Sequence, residues 1–338
     1  MLTLSTLLFL AGCGKSTPTT VIQGETMGTG YSVKLAIHQH EPAAAGLKER
    51  IDARLEEINR QMSTYRQDSE ISVFNSRART DPFPVSADFV RVAELSRNVA
   101  ELSDGAFDPT VAPLVELWGF GPAPSAGLPP ARADIEAAVA QVGFRGILID
   151  ASVRTIRKAR PDLRLDFSAV AKGFAVDAVF EMLAEAGYRD FLVEIGGEVR
   201  ARGLRPDGNP WRVAVEKPLD GERLVEVVVP LDDRAIATSG DYRNFFEVDG
   251  RRYAHILDPR TGWPPENGVA SVSVIASDAM TADAMATALM VMGPDQGLRL
   301  AAKQDLAVLF ILRGHQGLYS RASRSFDDLQ SGDFTEPH

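Results

Sequence analysis

The chain has 338 residues, of which 45% are hydrophobic and 24% charged; these are the proportions of an ordinary globular protein, and they exclude intrinsic disorder and collagen-like repeats. Asp and Glu outnumber Lys and Arg by 46 to 36, so the formal net charge is −10, and we expect no nucleic-acid partner. An anionic ligand would need a local cation or a cluster of hydrogen-bond donors in order to bind such a protein.

The N-terminus has the features of a lipoprotein signal. The only cysteine is Cys13, so neither an intrachain disulfide nor a multi-thiolate metal site is possible. It ends the run Leu10-Ala11-Gly12-Cys13, which resembles a bacterial lipobox and follows an apolar segment too short to span a bilayer. We expect residues 1–12 to be a cleaved signal peptide, Cys13 to carry lipid, residues 13–20 to be a tether and residues 21–338 to form the enzyme domain. The alternative is an apolar N-terminus with an incidental cysteine.

The hydrophobic periodicity of the rest of the chain predicts helices packed on a largely antiparallel sheet, which is an α+β fold. A glycine at position 187 is expected to end a helix, and Asp249-Gly250 predicts a hairpin turn. The predicted elements are, in chain order, a strand region over 21–37, helices over 47–62 and 86–103, a loop over 121–130, a helix over 133–142, a hairpin of 147–149 with 155–157, a strand over 163–167, a helix over 169–186, strands over 191–195, 211–215, 224–229, 245–248, 253–257 and 269–276, a helix over 281–292, a short helix, and a final strand over 306–312.

The segment LDFSAVAKG at 165–173 predicts a junction between a strand and a helix. A helix N-terminus offers unpaired N–H groups and a partial positive charge, which suit a phosphate group. Lys172 adds a full positive charge, and Asp166 lies at the end of the predicted strand. The alternative is a capped helix with a surface lysine.

Two oxygen-bearing side chains lie one helical turn apart near the C-terminus. Asp283 and Thr287 are at positions i and i+4 of a predicted helix and therefore share a face. A carboxylate and a hydroxyl are hard ligands that suit Mg²⁺, which completes its coordination with water and substrate phosphate. The alternative is an Asp that stabilises its own helix and a Thr that bonds to a carbonyl group.

The segment YAHILDPRTG at 253–262 predicts a strand that runs into a charged turn. His255 on that strand is a candidate general base near neutral pH. Asp258-Pro259 is typical of the start of a turn, and Gly262 fits a turn position. The alternative is a structural hairpin with a half-buried histidine.

Four smaller clusters of glycine, acidic, hydroxyl or aromatic residues lie at predicted element ends, where binding residues concentrate. Two glycines that follow the strand at Ile195 permit either close approach of a ligand or a bulge. Tyr65 could stack on a ring. The clusters are GETMGTG at 24–30, MSTY at 62–65, DGAFDPT at 104–110 and IGGE at 195–198.

Seven segments, in this order, closely resemble the ApbE family of FAD:protein FMN transferases, and seven ordered matches are far more specific than any one of them. The segments are GETMGT at 24–29, MSTY at 62–65, DGAFDPTV at 104–111, DFSAVAKG at 166–173, EIGGEVRARG at 194–203, HILDPRTG at 255–262 and TADAMATALMVMG at 281–293.

The resemblance implies an ApbE-like fold, similar to the T-fold. It also implies an enzyme that binds FAD and Mg²⁺ and transfers the FMN moiety of FAD to a Thr or Ser hydroxyl of a target flavoprotein, forming a phosphoester bond and releasing AMP. His255 is the expected base for the acceptor hydroxyl. The FAD contacts carried over by motif are Met27, Tyr65, Ala106, Phe107, Asp108, Asp166, Lys172 and Ile256. The metal ligands carried over are the main-chain carbonyl of Ala169 and the side chains of Asp283 and Thr287.

The resemblance also suggests partners and a location. The expected acceptors are flavoprotein subunits of membrane electron-transfer complexes, such as sodium-pumping quinone reductase (Nqr) or Rnf complexes, and the enzyme is expected to be lipid-anchored and to face the periplasm. Two other functions stay open. One is a Mg²⁺-dependent FAD pyrophosphatase that gives FMN and AMP, with water in place of the hydroxyl. The other is a lipid-anchored FAD-binding protein without catalysis.

Overall fold

The computed structural model describes residues 19–123, 127–219, 224–242 and 244–331, so the predicted signal peptide and Cys13 lie outside the described residues. No helix within these ranges is long and apolar enough to cross a membrane. The strands are β1 (Thr19–Thr26), β2 (Thr29–Ala36), β3 (Phe83–Pro84), β4 (Ile147–Asp150), β5 (Thr155–Lys158), β6 (Phe191–Ile195), β7 (Glu198–Arg202), β8 (Trp211–Glu216), β9 (Val225–Leu231), β10 (Ala235–Gly240), β11 (Phe245–Val248), β12 (Arg251–Ala254), β13 (Val269–Ala276), β14 (Ala307–Gly314) and β15 (Gly317–Ala322). The helices are α1 (Leu47–Met62), α2 (Glu70–Ser76), α3 (Ala87–Leu102), α4 (Ala112–Leu117), α5 (Arg132–Val139), α6 (Ala171–Glu185), α7 (Ala279–Lys303) and α8 (Arg324–Ser331).

The largest sheet has eight strands in the order β1-β2-β6-β7-β10-β13-β14-β15. Every neighbouring pair in it is antiparallel, so the α+β prediction is confirmed. Strands β1 and β15 form its two edges, and β13 near the middle is buried along its whole length.

Both faces of this sheet are covered, because alternate residues of each strand point to opposite sides. On β6, Val193 belongs to the main core and Leu192 to a second apolar cluster on the other face. The main core includes the buried faces of α1, α3, α6 and α7, and the second cluster includes residues of β8, β9 and α8. A third cluster surrounds Trp118, between α4, α5 and the β11–β12 hairpin.

Several predicted boundaries are confirmed. Helix α1 spans the predicted residues, and its apolar stripe is buried because hydrophobic residues recur every three or four positions. The side chain of Ser86 caps α3 by accepting a hydrogen bond from the N–H of Phe89. Gly187 follows α6 with φ of 96°, and Asp249-Gly250 forms the β11–β12 turn.

The segment 163–167 is not a strand, which corrects the prediction. The N–H and C=O groups of Leu165 bond instead to the side-chain amide of Asn75, at 2.7 and 2.8 Å. A side chain 90 residues away in the sequence thus replaces a neighbouring strand. Helix α6 begins at Ala171 rather than at residue 169, which places Lys172 in its first turn.

Other boundaries also differ. Strand β12 ends at Ala254, so His255 lies just beyond the strand rather than on it. Strand β1 begins at Thr19, two residues inside the predicted tether 13–20. Helix α7 is interrupted at Gly293, whose φ of 76° and ψ of 171° are not helical, which agrees with the predicted end of one helix and start of another. The unpredicted elements are α2, α4, α8, β3, β7, β10 and β15.

Candidate active site

The N-terminal ends of α6 and α7 lie in direct contact, and Gly173 permits it. A Cβ atom on Gly173 would lie 2.3 Å from the carbonyl oxygen of Ala279 and 2.8 Å from Cβ of Asp283, so a larger residue would force the helices apart. The N–H of Gly173 donates a hydrogen bond to Oδ2 of Asp283 at 2.9 Å. The predicted phosphate-binding and metal-binding segments therefore meet in the folded chain.

Lys172 joins this junction to the central sheet. Its ammonium donates to Oε1 of Glu198, the first residue of β7, at 2.6 Å. Gly196 has φ of +65°, and a Cβ atom there would lie 2.9 Å from Cγ2 of Thr29 and 3.2 Å from Cδ of Lys172. Gly196 and Gly197 form the turn between β6 and β7, and the side chains of Thr29 and Lys172 lie close to Gly196 there. The predicted approach of a ligand to these glycines stays a prediction.

Asp283 and Thr287 lie on one face of α7. Asp283 is 4% exposed, and burial raises the pKa of its carboxyl group, whereas the positive charge of Lys172 opposes that rise. The hydroxyl of Thr287 lies 3.1 Å from Oγ of Ser239 on β10. Burial, together with the negative charge of Asp283, raises the pKa of Glu198 to about 7. The junction therefore contains two buried acids within electrostatic range of each other and of one lysine.

His255 is held in a single tautomer. Its Nδ1 lies 3.0 Å from the backbone carbonyl oxygen of Asn244, and a carbonyl oxygen only accepts, so Nδ1 carries the proton and Nε2 the lone pair. Burial lowers the pKa of His255, and the charge of Lys172 lowers it further, while Asn244 and the charge of Asp241 oppose the shift. A neutral imidazole with its lone pair on Nε2 is the form that general-base catalysis requires.

The loop 104–110 is fixed by Asp108. Its buried carboxylate accepts hydrogen bonds from the N–H and hydroxyl of Thr110, at 2.7 and 2.6 Å, and from the N–H of Phe144 at 3.0 Å. Burial raises the pKa of this carboxyl group. The Asp108 side chain is thus engaged by the protein's own donors, and its observed role is to hold the loop in shape.

Asp166 ties the same loop to the start of α6. Its N–H donates to the carbonyl oxygen of Pro109 at 2.8 Å, and its carboxylate accepts from the N–H of Ser168 at 2.7 Å. Burial raises the pKa of Asp166. The loop also approaches the turn after His255, since a Cβ atom on Gly105 would lie 3.8 Å from Cγ of Arg260.

The remaining predicted FAD contacts differ in exposure. Met27 forms the β1–β2 turn with φ of 51°, a conformation in which Asn or Gly is usual. Tyr65 is 68% exposed just beyond the end of α1. The side chains of Ala106, Phe107 and Ile256 are buried in the main core, so Ala106 and Phe107 could reach a ligand chiefly through their backbone.

Comparison with known proteins identifies the family. The family model for the ApbE family matches residues 27–310. A FAD:protein FMN transferase of Vibrio cholerae is 44% identical to this chain over 331 residues, 98% of each protein, and that of Escherichia coli K12 is 37% identical over 92% of this chain and 91% of its own length. The chain belongs to the ApbE family.

Solved structures agree with this assignment to the ApbE family. The flavin transferase ApbE from Vibrio cholerae superimposes with a TM-score of 0.86 at 42% identity, covering 92% of this chain and 99% of that one. The apo form of the Pseudomonas stutzeri flavinyl transferase ApbE gives a TM-score of 0.84 at 40% identity, covering 92% and 96%.

The oxygens at the junction of this ApbE-family chain fit a small hard cation. Across the described ranges, no group of three His, Cys, Asp or Glu side chains could hold a metal ion, but Asp283 and Thr287 offer a carboxylate and a hydroxyl. Gly173 is in the first turn of α6, where N–H groups have no helical acceptor, and its N–H donates to Asp283. Ala169 precedes the helix, and Mg²⁺ accepts a partial set of protein ligands such as its carbonyl, Asp283 and Thr287.

The structure adds two acids that sequence reasoning missed. Glu198 closes the EIGGE segment, so the motif pointed to this region but gave no role for the acid. Asp177 on α6 accepts hydrogen bonds from the N–H groups of Ala279 and Met280, at 2.9 and 2.8 Å, and so fixes the start of α7. Nothing in the sequence around Asp177 signals this contact, because its partners lie 102 residues away or further.

Proposed function

We propose that this ApbE-family chain, an FAD:protein FMN transferase, joins the FMN moiety of FAD to a Thr or Ser hydroxyl of a target flavoprotein. The hydroxyl oxygen attacks the phosphorus on the FMN side of the diphosphate, and a new phosphoester bond forms. The bond between that phosphorus and the bridging oxygen breaks, so AMP leaves. The family assignment and the ordered motifs support the reaction class.

The residues supply the electrostatic part of this reaction. Phosphoryl transfer depends mainly on positioning and charge stabilisation, and a chain of net charge −10 needs local positive charge to bind a diphosphate. The first turn of α6 offers backbone N–H groups and a partial positive charge, and Lys172 adds a full one.

We infer that Asp283, Thr287 and the carbonyl of Ala169 hold Mg²⁺ when it is bound. In that position the ion would neutralise diphosphate charge and polarise the phosphoryl group. The observation that carries the proposal is the bond from the N–H of Gly173 to Asp283, because it joins the phosphate-binding helix start to the metal-binding acid.

His255 serves as the base in this proposal. Its neutral form is favoured by burial and by the charge of Lys172, and its Nε2 accepts the proton of the acceptor hydroxyl as the new bond forms. The hydrogen bond from Nδ1 to the Asn244 carbonyl fixes the ring so that Nε2 keeps the lone pair. Tyr65, Met27 and the backbone of the loop 104–110 are proposed contacts of FAD.

The test is a modification assay with FAD, Mg²⁺ and a purified soluble target domain from an Nqr-type or Rnf-type subunit, read by in-gel flavin fluorescence with and without a chelator. We expect a fluorescent, chelator-sensitive adduct and an equal amount of AMP. His255→Gln should lower the rate by about 10²–10⁴. His315→Gln, at an exposed position in the β14–β15 turn, is the matched control and should retain full activity.

Three other results would contradict the proposal in different ways. Free FMN and AMP without an adduct would indicate a pyrophosphatase. Tight FAD binding without AMP release would indicate a binding protein. Full activity of His255→Gln would leave the reaction class intact but remove His255 as the base.

We also propose that the enzyme is anchored by lipid on Cys13 and faces the periplasm, where acceptor subunits of membrane electron-transfer complexes would be its clients. The lipobox-like run at 10–13 supports this. Cell fractionation and mass spectrometry of the N-terminal peptide test it, with Cys13→Ala as the comparison. We expect the parent protein in the membrane fraction with a lipidated Cys13, whereas equal membrane association of Cys13→Ala would contradict the anchor.

A further inference from the structure

Glu198 has one carboxylate oxygen that the fold uses and one that it does not. The residue is 2% exposed, and Oε1 accepts the hydrogen bond from Lys172. The other oxygen, Oε2, is buried and has no hydrogen-bond partner within the described part of the chain. A buried carboxylate oxygen without a donor is costly, so a bound group that satisfies it would stabilise the site.

The surroundings indicate which charge that group carries. Glu198 and Asp283 are both buried, and each lies within electrostatic range of Lys172 and of the other. If both acids ionise, two carboxylates face one ammonium and the local charge is negative. An anion at Oε2 would add to that negative charge, whereas a cation would remove it.

The geometry places Oε2 beside the glycine turn that packs against Lys172. A Cβ atom built on Gly196 would lie 3.4 Å from Oε2 and 3.2 Å from Cδ of Lys172. Oε2 therefore borders the same glycine turn that packs against the lysine of the α6 N-terminus. Only glycine fits at position 196, because a Cβ atom there would crowd Thr29 at 2.9 Å and because its φ of +65° strains a larger residue.

We propose that Glu198 is a second acid of the cation site: Oε1 fixes the ammonium of Lys172, and Oε2 helps to hold the divalent cation that Asp283 binds. This inference rests on the proposed function, since it assumes a cation at Asp283. Glu198 is then a positioning residue. Its one carboxylate holds both the ammonium of Lys172 and the divalent cation, which are the two positive charges that face the diphosphate.

The test measures Mn²⁺ binding to the full chain without FAD, by the electron paramagnetic resonance signal of the free ion. We expect Glu198→Gln to weaken Mn²⁺ binding by about 10–100-fold, the usual effect of removing an outer partner of a metal site. Glu194→Gln is the matched control, because Glu194 lies on the preceding strand in the same EIGGE segment and bonds to the N–H of Gly197. Its Mn²⁺ affinity should be unchanged.

A second readout separates this role from simple support of Lys172. Affinity for FAD is measured by fluorescence in the presence of a chelator, with the same variants. The amide oxygen of Glu198→Gln can still accept the bond from Lys172, so FAD affinity should be unchanged. A loss of FAD affinity with unchanged Mn²⁺ affinity would overturn the proposal and assign Glu198 to the lysine alone.

Asp283→Ala distinguishes failure of this inference from failure of the proposed function. If wild type binds Mn²⁺ more tightly than Asp283→Ala does, but Glu198→Gln binds like wild type, only the role of Glu198 is overturned. If wild type and Asp283→Ala bind Mn²⁺ equally, the cation site itself fails and Glu198 with it. Should Glu198→Gln not fold, Glu198→Asp retains the charge but withdraws the oxygen by one methylene, and unchanged Mn²⁺ affinity in that variant overturns the proposal.

Discussion

Helix α6 and strand β7 are joined by two carboxylate–cation pairs, and the acid lies on the helix in one pair and on the strand in the other. Asp177 on α6 accepts from Arg200 on β7 at 2.7 Å, and Lys172 on α6 donates to Glu198 on β7 at 2.6 Å. Both carboxylates are 3% exposed. The two pairs join the same helix and strand, have similar distances between their charged atoms and have equally buried acids. They differ in the other groups that each acid contacts.

Asp177 is fully used by the fold, and Glu198 is not. Both oxygens of Asp177 accept backbone N–H groups at the start of α7, and its Arg200 partner lies 3.9 Å from the ring centre of Phe180. Burial raises the pKa of Asp177 to about 6, whereas that of Glu198 rises to about 7 under burial and the charge of Asp283. Because both oxygens of Asp177 accept hydrogen bonds from the start of α7, this acid is structural, whereas the unused oxygen of Glu198 leaves that acid available to the proposed cation.

The largest effect should come from breaking the structural pair. Asp177→Ala leaves Arg200 without its acid and two helix N–H groups without acceptors, so we expect the free energy of unfolding to fall by about 3–5 kcal/mol. Urea unfolding followed by circular dichroism measures it. The control is Glu181→Ala on the same helix, whose pair with Arg91 is about half exposed and should contribute at most about 1 kcal/mol. Equal losses in the two variants would show that Asp177 does not stabilise the fold as inferred.

The next largest effect is expected on the rate of FMN transfer when Asp283, which lies near the Lys172–Glu198 pair, is removed. Asp283→Ala removes the proposed metal carboxylate, and we expect FMN transfer to fall by about 10²–10³ while the protein remains folded. The control is Asp278→Ala, which removes the N-cap of the same helix but no proposed ligand, and should keep its transfer rate. The measurement is the initial rate of flavin adduct formation at saturating Mg²⁺. Near-normal, chelator-sensitive transfer by Asp283→Ala would refute the metal assignment.

The contrast between the two pairs also shows what the sequence can predict. Helix α1 was predictable because its apolar residues repeat at the helical period. Strand β7 was not, because alternation there places Glu198 and Arg200 on one side and Val199 and Ala201 on the other. A strand with charged residues on a buried side lacks the alternation of apolar and polar residues by which strands are predicted. In β7 those charged residues are Glu198 and Arg200, one from each pair.

The site was predictable as motifs but not as contacts. The ordered segments indicated Lys172 and Asp283, and their meeting followed from the resemblance. The contact between Lys172 and Glu198 joins residues 26 apart in sequence, and that between Gly173 and Asp283 joins residues 110 apart. Such pairings depend on the order of strands in the sheet and on how two helices cross, which local periodicity does not encode.

A smaller effect concerns stability and pH. The pKa of Glu198 is about 7 in the folded chain, above the ordinary glutamic acid value of 4.5, so between these two pH values the folded state holds a proton that the unfolded state releases. The stability that this proton provides is present at low pH and is lost as the pH rises through about 7. Glu198→Gln cannot titrate, so its free energy of unfolding relative to wild type should increase between about pH 5 and about pH 8 in chelator. A pH-independent difference in urea unfolding would contradict the raised pKa.

The smallest expected effect is on the pKa of His255, and it tests whether the positive charge of Lys172 influences that residue. The positive charge of Lys172 lowers the pKa of His255, which burial already lowers. Lys172→Met should therefore raise that pKa toward the usual 6.5, because the imidazolium form no longer faces an ammonium. Lys48→Met is the control, since Lys48 pairs with Asp52 on α1, and it should leave the His255 pKa unchanged.

Nuclear magnetic resonance titration of the imidazole C–H signals measures both variants without FAD, so loss of substrate binding cannot obscure the result. The chain has five histidines, and the His255 signal is assigned by its disappearance in His255→Gln. A shift in Lys172→Met alone would show that the lysine acts on the base as well as on the diphosphate. The FMN transfer rate of the wild type should then fall only below pH 6.5, because His255 stays neutral to a lower pH than an unperturbed histidine does. Equal pKa values in the two lysine variants would confine the influence of Lys172 to Glu198 and the substrate.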